Sequence, residues 1–575
     1  MDLLIINKGD TMQTDLEIAQ SIKLTPIKEI AASIAIQDDE LHPYGNYKAK
    51  ISLSVLERLK DKANGKYIYI TAVTPTPLGE GKTLTTIGLS LGLNKIGRKA
   101  ISCIREPSLG PVFGIKGGAA GGGYSQVLPM EDVNLHLTGD VSAIGTSHNL
   151  CAAFLDNHIL KENKLSIDPH SITWPRVIDV NDRFLREVVI GLGGKDNGFL
   201  RESGFEIIEA SEVMAIMALT NSLKDLRSRL GKILLATTYD GKPVTPDDIK
   251  VAGAMTVLLK NAIMPNIVQT TEKTACFIHT GPFGNIAHGN SSILADAMAL
   301  KLADYVVTES GFGADLGSEK FLDIKCRQSK LKPDCAVLVC SIRALKMHSS
   351  SFDVVAGKPL DAGLFKENLQ AIQAGSCNLK KQIENILIFG IPVVVAINRF
   401  ESDTDTEIEL VRKLAVEFGA KEAVVNLAYA KGGEGAIELA EAVTRTAEQP
   451  NDFKFLYPLD VSIKEKIETI ATKIYGAGNV TYHPVAEQKI RQYTELGFDK
   501  LPICMAKTHL SLSHDPRLKG VPTNFELPIR EIRVSAGAGF IYPLCGKMRT
   551  MPGLPSNPCG TNVDIDEDGN TIGLF

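Results

Sequence analysis

The chain has no Cys-x-x-Cys pair, a single tryptophan and no excess of basic residues. Each shortage removes a class of function. With a net charge of −5 and no dense Lys/Arg stripe, a general nucleic-acid binder is excluded. The ten cysteines are scattered; the nearest pair, Cys335 and Cys340, lies in "CAVLVC", where strand alternation puts them on opposite faces. Reduced, mostly buried thiols and a cytoplasmic location are expected. The opening "MDLLIINKGD" lacks the basic segment of a signal peptide. The most apolar window, Ile386 to Ile397, is too short to cross a bilayer and contains Pro392. It reads as a helix end, a turn and a buried strand, with no membrane role. Neither a solenoid-period repeat nor a long disordered tract is present.

What is there points to a globular enzyme. A chain of 575 residues exceeds one core, so two to four domains are expected. Nearly continuous apolar, β-branched runs at 67–73, 99–104, 304–309, 335–340, 391–398 and 422–428 suit strands covered on both faces. Helical stretches separate them, including 211–231, closed by Gly231, and 406–420. The alternation predicts an α/β fold with a largely parallel sheet. Residues 1–150 and 271–455 would form one discontinuous domain, 151–270 an insert, and 456–575 a C-terminal domain that opens with a helical stretch.

The segment "TAVTPTPLGEGKTLTTIG" resembles the phosphate-binding pattern G-x-x-x-x-G-K-[ST], with Gly81, Lys82 and Thr83 in place but Thr76 at the first glycine position. A strand enters the loop and a helix leaves it near Thr83, as a phosphate cradle requires. Backbone N–H groups of Thr76, Pro77, Leu78, Gly79, Glu80 and Gly81 (Pro77 lacking one) surround the anion, Lys82 adds charge, and Thr83 can ligate Mg²⁺. Here two prolines, and no first glycine, shape the entry. The alternative is a tight strand-to-helix turn without a ligand.

Arg105 ends the next strand, where open α/β sheets place ligands. Six glycines follow between Gly114 and Gly123, flanked by Lys116 and Tyr124, consistent with a loop passing close to an anion or with a flexible linker. "HTGPFGNIAHGNSS" groups His279, Asn285 and His288, but no third metal ligand stands at convincing spacing. The tail "DIDEDGNTIGLF" imitates half a calcium loop, yet Phe575 occupies the position of the bidentate glutamate, so Asp-Gly here reads as a turn.

Together, "TPTPLGEGKT", "REPSLGPVFGIKGGAAGGGYSQVLPMEDVNLHLTGD", "GPFGNIAHGNSS", "GFGADLGSEKFLDIKCR", "AKGGEGAIELA" and "MRTMPGLPSNP" resemble the formate–tetrahydrofolate ligase family, from about residue 20 to the terminus. The resemblance implies a P-loop NTPase-like nucleotide-binding domain with two smaller α+β domains. It also implies conversion of formate, ATP and tetrahydrofolate into 10-formyltetrahydrofolate, ADP and phosphate through formyl phosphate. Mg²⁺ with ATP, a monovalent cation (K⁺ or NH₄⁺) and a homotetramer come with it. The stretch before residue 60 is too short for a dehydrogenase–cyclohydrolase module, so a monofunctional enzyme is expected.

The same resemblance assigns residues. Lys82 and Arg105 would neutralise the phosphoryl group and hold formyl phosphate. Glu106 would approach the monovalent cation, or merely pair with Arg105. Asp140 matches an acidic position near the folate, with His279 and Lys116 close by. Phe400 and Tyr429 would stack on the pterin; Tyr429 stands where the family usually has Trp and adds a hydroxyl that needs a partner. A P-loop ATPase or kinase indifferent to folate, and a binding relative without catalysis, are the competing readings.

Overall fold

The computed structural model describes residues 13–77, 79–114, 120–352, 354, 360–546 and 548–574. Its centre is a 12-stranded mixed sheet. Across it the strands run Leu41–Pro43, Ala49–Ile51, Asn266–Thr270, Ala275–Ile278, Ala100–Ile104, Tyr305–Glu309, Lys66–Ala72, Cys335–Cys340, Val393–Asn398 and Glu422–Asn426, with a short hairpin of Gly121–Gly122 and Ser125–Leu128 joined to Asn266–Thr270. From Ala275–Ile278 to Glu422–Asn426 every ladder is parallel. The apolar runs explain this: Ala100–Ile104, Cys335–Cys340 and Val393–Asn398 are buried along their whole length, as strands flanked by helices on both faces must be.

Because these strands share a direction, their carboxyl ends share one edge of the sheet. In spatial order, that edge is followed by His279, Arg105, Glu309, the 73–81 loop, Ser341, Asn398 and Asn426. Side chains far apart in the chain thus become neighbours, in the place where α/β sheets bind ligands.

Local signals account for the helices that matter. Helix Lys82–Lys95 starts at Gly81, in the left-handed region, and ends before Gly97, whose φ is 79°. Arg98 and Gly97 N–H groups return to the carbonyls of Leu93 and Asn94, closing the last turn. One expectation fails in detail. The stretch 211–231 forms two helices, Glu212–Leu219 and Leu223–Leu230. Thr220 is extended, the Ser222 hydroxyl caps Asp225 N–H, and the Asp225 carboxylate accepts from Asn221 N–H and Thr220 Oγ1. These local bonds compete successfully with a continuous helix.

The 455–475 stretch is helical from Ile463, where Ser462 and Glu465 form a capping box. Farther on, buried Lys507 pairs with buried Asp315 at 2.8 Å, fastening the C-terminal part to the segment after the Tyr305–Glu309 strand. The tail makes the expected turn: Asp566 accepts the N–H groups of Asp568 and Asn570 between strands Asp564–Ile565 and Thr571–Ile572. All ten cysteines are free, and Cys335 and Cys340 join different apolar clusters on the two sides of their strand. No helix among the described residues is long and apolar enough to cross a membrane.

Candidate functional site

The altered loop is built by replacing a glycine turn with a side-chain brace. Gly79 N–H donates to the Thr76 carbonyl at 3.1 Å, and Gly79 takes φ 77°, so the left-handed residue lies three places after Thr76. Thr76 N–H donates to Glu80 Oε1 at 2.9 Å, and Ser341 Oγ donates to Glu80 Oε2 at 3.1 Å. Burial pushes the Glu80 carboxyl above its ordinary range, against the Thr76 and Ser341 hydrogen bonds and the Lys82 charge. Asn398 Nδ2 donates to the Glu80 carbonyl at 2.8 Å. Gly81 has no substitute here: its φ is 71°, and a Cβ would stand 2.8 Å from Asn398 Nδ2. Leu78 lies outside the described residues, as does Lys116.

Beside the loop, Glu309 joins two expected site residues. Its strand lies between the one that feeds the loop and the one that ends at Arg105. Glu309 Oε2 accepts from Thr83 Oγ1 at 2.7 Å, and Oε1 accepts from Arg105 Nε at 3.1 Å. Burial alone would raise this carboxyl, but the Arg105 charge, the Thr83 hydrogen bond and the Lys82 charge outweigh it and hold the group below the usual range. Arg105 therefore pairs with Glu309 and not with its neighbour Glu106. Arg105 and the Lys82 charge thus both act on one buried carboxylate beside the loop.

A second polar cluster surrounds Asp140, the first residue of helix Asp140–Lys161. Lys50 Nζ lies 2.6 Å from Asp140 Oδ1, and Asn266 Nδ2 donates to Oδ2 at 2.8 Å. Lys50 and Asp140 are almost wholly buried, and Lys50 also donates to the Met264 carbonyl. Glu106 feels Asp140 and Lys50 as well. Burial, then Asp140, pushes its carboxyl well above the ordinary range, and its Oε2 has no hydrogen-bond partner. Glu209 is similar: both of its oxygens lack partners, and burial with Asp179 nearby raises it well above the usual range. No three His, Cys, Asp or Glu side chains among the described residues converge as metal ligands.

His279 is wholly buried in the same region. Its Nε2 lies 2.7 Å from the Ala262 carbonyl, which can only accept, so Nε2 carries the proton. Nδ1 then accepts from Ser292 Oγ at 2.7 Å, and both ring nitrogens are engaged within the protein. Burial drops this imidazole to about 4. The unfolded chain, titrating near 6.5, binds more protons between those values, so stability is lost as pH falls through that window. Relative to His279→Gln, the wild type is expected to lose about 3 kcal/mol between pH 6.5 and 4. Urea unfolding midpoints of both proteins across that range measure this; a constant difference would refute a neutral buried imidazole.

Phe400 and Tyr429 follow adjacent strands whose last residues, Asn398 and Asn426, are in register and hydrogen bonded at 2.8 Å. Both rings are partly exposed. Tyr429 Oη donates to Asp15 Oδ1 at 3.2 Å, and burial, followed by the Asp15 charge, raises the phenol to about 12. The glycine-rich segment packs against this tyrosine. Gly123 has φ 54°, donates its N–H to Asp15 Oδ1, and would place a Cβ 2.1 Å from the Tyr429 carbonyl.

The sequence left Glu309, Asn398 and Lys50 unassigned. The first two carried a signal: a polar residue ending a buried strand is conspicuous. Lys50 carried none, since nothing local marks its burial.

A family model described as "Formate--tetrahydrofolate ligase" matches residues 13–575. A protein of that name from Desulforamulus reducens is 61% identical over 98% of this chain and 99% of its own length. Others from Roseiflexus sp. (strain RS-1) and Roseiflexus castenholzii are 57% and 56% identical, each over 98% of this chain and 100% of their own.

Proposed function

This chain belongs to the formate–tetrahydrofolate ligase family, and from that premise we propose how its residues divide the reaction. The protein ligates formate to tetrahydrofolate using ATP, a step of one-carbon metabolism.

In the first step a formate oxygen attacks the γ-phosphorus and ADP leaves, giving formyl phosphate. Two anions must meet, so charge neutralisation and alignment supply most of the catalysis. The P-loop-like segment 76–83 holds the phosphates, Lys82 neutralises them, and Arg105 grips the formyl phosphate. The observation that carries this reading is Glu309, which orients both Arg105 and Thr83 from the strand between them. In the second step the folate amine attacks the formyl carbon, phosphate leaves, and the ammonium loses a proton. Asp140 is proposed as the group that receives or directs that proton, with Lys50 holding its carboxylate in place. His279, buried with both nitrogens engaged, supports the wall of this site.

Thr83 offers a hard oxygen donor that fits Mg²⁺ at the phosphates. The partnerless oxygens of Glu106 and Glu209 fit a monovalent cation, which when bound would neutralise buried carboxylates. The division into 1–150 with 271–455, 151–270 and 456–575, a homotetrameric state and a cytoplasmic location are part of the same proposal.

Phe400 and Tyr429 form the pterin platform. Tyr429→Trp is expected to lower the KM for tetrahydrofolate about threefold, and Tyr429→Ala to raise it about tenfold, with ATP and formate constants unmoved. Initial rates against tetrahydrofolate decide it; unchanged KM in both variants would remove Tyr429 from the platform.

The overall test omits one component at a time from Mg·ATP, potassium, formate and tetrahydrofolate. Product, followed as methenyl-tetrahydrofolate absorbance after acidification, is expected only with all three substrates. ADP release indifferent to formate and folate would instead indicate a general P-loop ATPase.

A further inference from the structure

The Phe400 ring has a partner the reaction has not yet used. The Arg343 guanidinium lies 3.5 Å from its centroid, and 5.7 Å from that of Phe365. A cation at that distance sits against one face of the ring, yet Phe400 remains 41% exposed. The opposite face is therefore left for a ligand. We infer that Arg343 is a positioning residue: it backs the Phe400 ring so that the free face is presented, at a fixed tilt, to the pterin. The inference rests on the assignment of Phe400 to the pterin platform.

Three features make Arg343 suited to this. It is the second residue of helix Ile342–His348, whose first turn is capped by Ser341 Oγ accepting from Ala344 N–H at 3.2 Å. Ser341 in turn donates to Glu80 of the nucleotide loop, so the start of the helix is pinned at the sheet edge. Arg343 Nε is buried without a hydrogen-bond partner, so ring faces and the field of Asp403 and Glu80 hold the guanidinium in place. Asp403 also fixes the other side of the platform: its Oδ2 accepts Phe400 N–H at 2.8 Å, anchoring the backbone while Arg343 anchors the ring. A flat guanidinium stacks; a lysine ammonium keeps the charge but loses the plane.

The test is a double-mutant cycle on the full-length enzyme with tetrahydrofolate as the varied substrate. Arg343→Met is expected to raise the tetrahydrofolate KM about tenfold, with kcat and the ATP and formate KM values within about twofold. Arg343→Lys, which should keep the fold by retaining charge and length, is expected to give about a threefold rise. In a Phe400→Ala background, Arg343→Met should change the tetrahydrofolate KM by less than about twofold, because the ring it positions is gone. Equal rises in both backgrounds would overturn the inference and make Arg343 a direct folate contact. No change in the wild-type background would overturn it as well. Should Phe400→Ala alone leave the KM unmoved, the pterin platform itself fails, an outcome distinct from failure of Arg343.

Discussion

Arg105→Ala is expected to reduce kcat/KM for formate about 10³-fold or more, while the KM for ATP changes only a few-fold. The guanidinium stands at the end of the Ala100–Ile104 strand, fixed by Glu309 through Nε at 3.1 Å and by the Pro282 carbonyl through Nη1 at 3.5 Å, and its remaining N–H donors can meet an anion. Removing it does two things. It deletes the positive charge that formate and the γ-phosphate would share, and it leaves the buried Glu309 carboxylate facing the same space with one fewer counter-charge. Both oppose the approach of anions. Arg105→Lys keeps the charge but loses the planar fork, and an intermediate loss of about 10²-fold is expected. Glu309→Gln isolates the orienting role: it should lower kcat less than Arg105→Ala, since the charge that grips the anion remains. Initial rates read as methenyl-tetrahydrofolate absorbance check all three. Activity of Arg105→Ala within tenfold of wild type would end the assignment.

Breaking the Lys50–Asp140 pair is expected to cost about 3–5 kcal/mol of stability. The two side chains are 1% and 4% exposed, so Lys50→Met leaves a carboxylate in the interior with only Asn266 to satisfy it. A buried pair is costly to halve yet often neutral to replace entirely by apolar groups. Lys50→Met/Asp140→Leu should therefore recover most of the stability lost in Lys50→Met. Activity separates the two possible roles of Asp140. If the pair only holds helix Asp140–Lys161 against the sheet, the double variant regains turnover with its stability. If Asp140 handles the folate amine proton, as proposed, stability returns and product formation does not. Denaturant unfolding and turnover on the same preparations give both readings.

The fold was largely legible because its signals are local. Six apolar runs appear as strands within two residues of the expected ends, and the helix after the loop begins at Lys82, one residue from its expected start. The exception is instructive: 211–231 has helical composition throughout, but Thr220, Asn221 and Ser222 find hydrogen bonds outside the helix ladder. Composition does not reveal which of two hydrogen-bonding solutions a short polar stretch adopts.

The chemistry on offer was legible in the chain: a Gly-Lys-Thr helix start, an arginine at a strand end and an aromatic pair marked by the motifs around it. Each of these is announced by its neighbours in the chain. Which of these groups meet is set by how the strands pack. Arg105 and Glu309 are 204 residues apart, Lys50 and Asp140 90, yet each pair is in contact. The physical reason is the order of the sheet. Strands are paired by long-range burial, so the residues that share its carboxyl edge are chosen by spatial order, which local pattern does not encode.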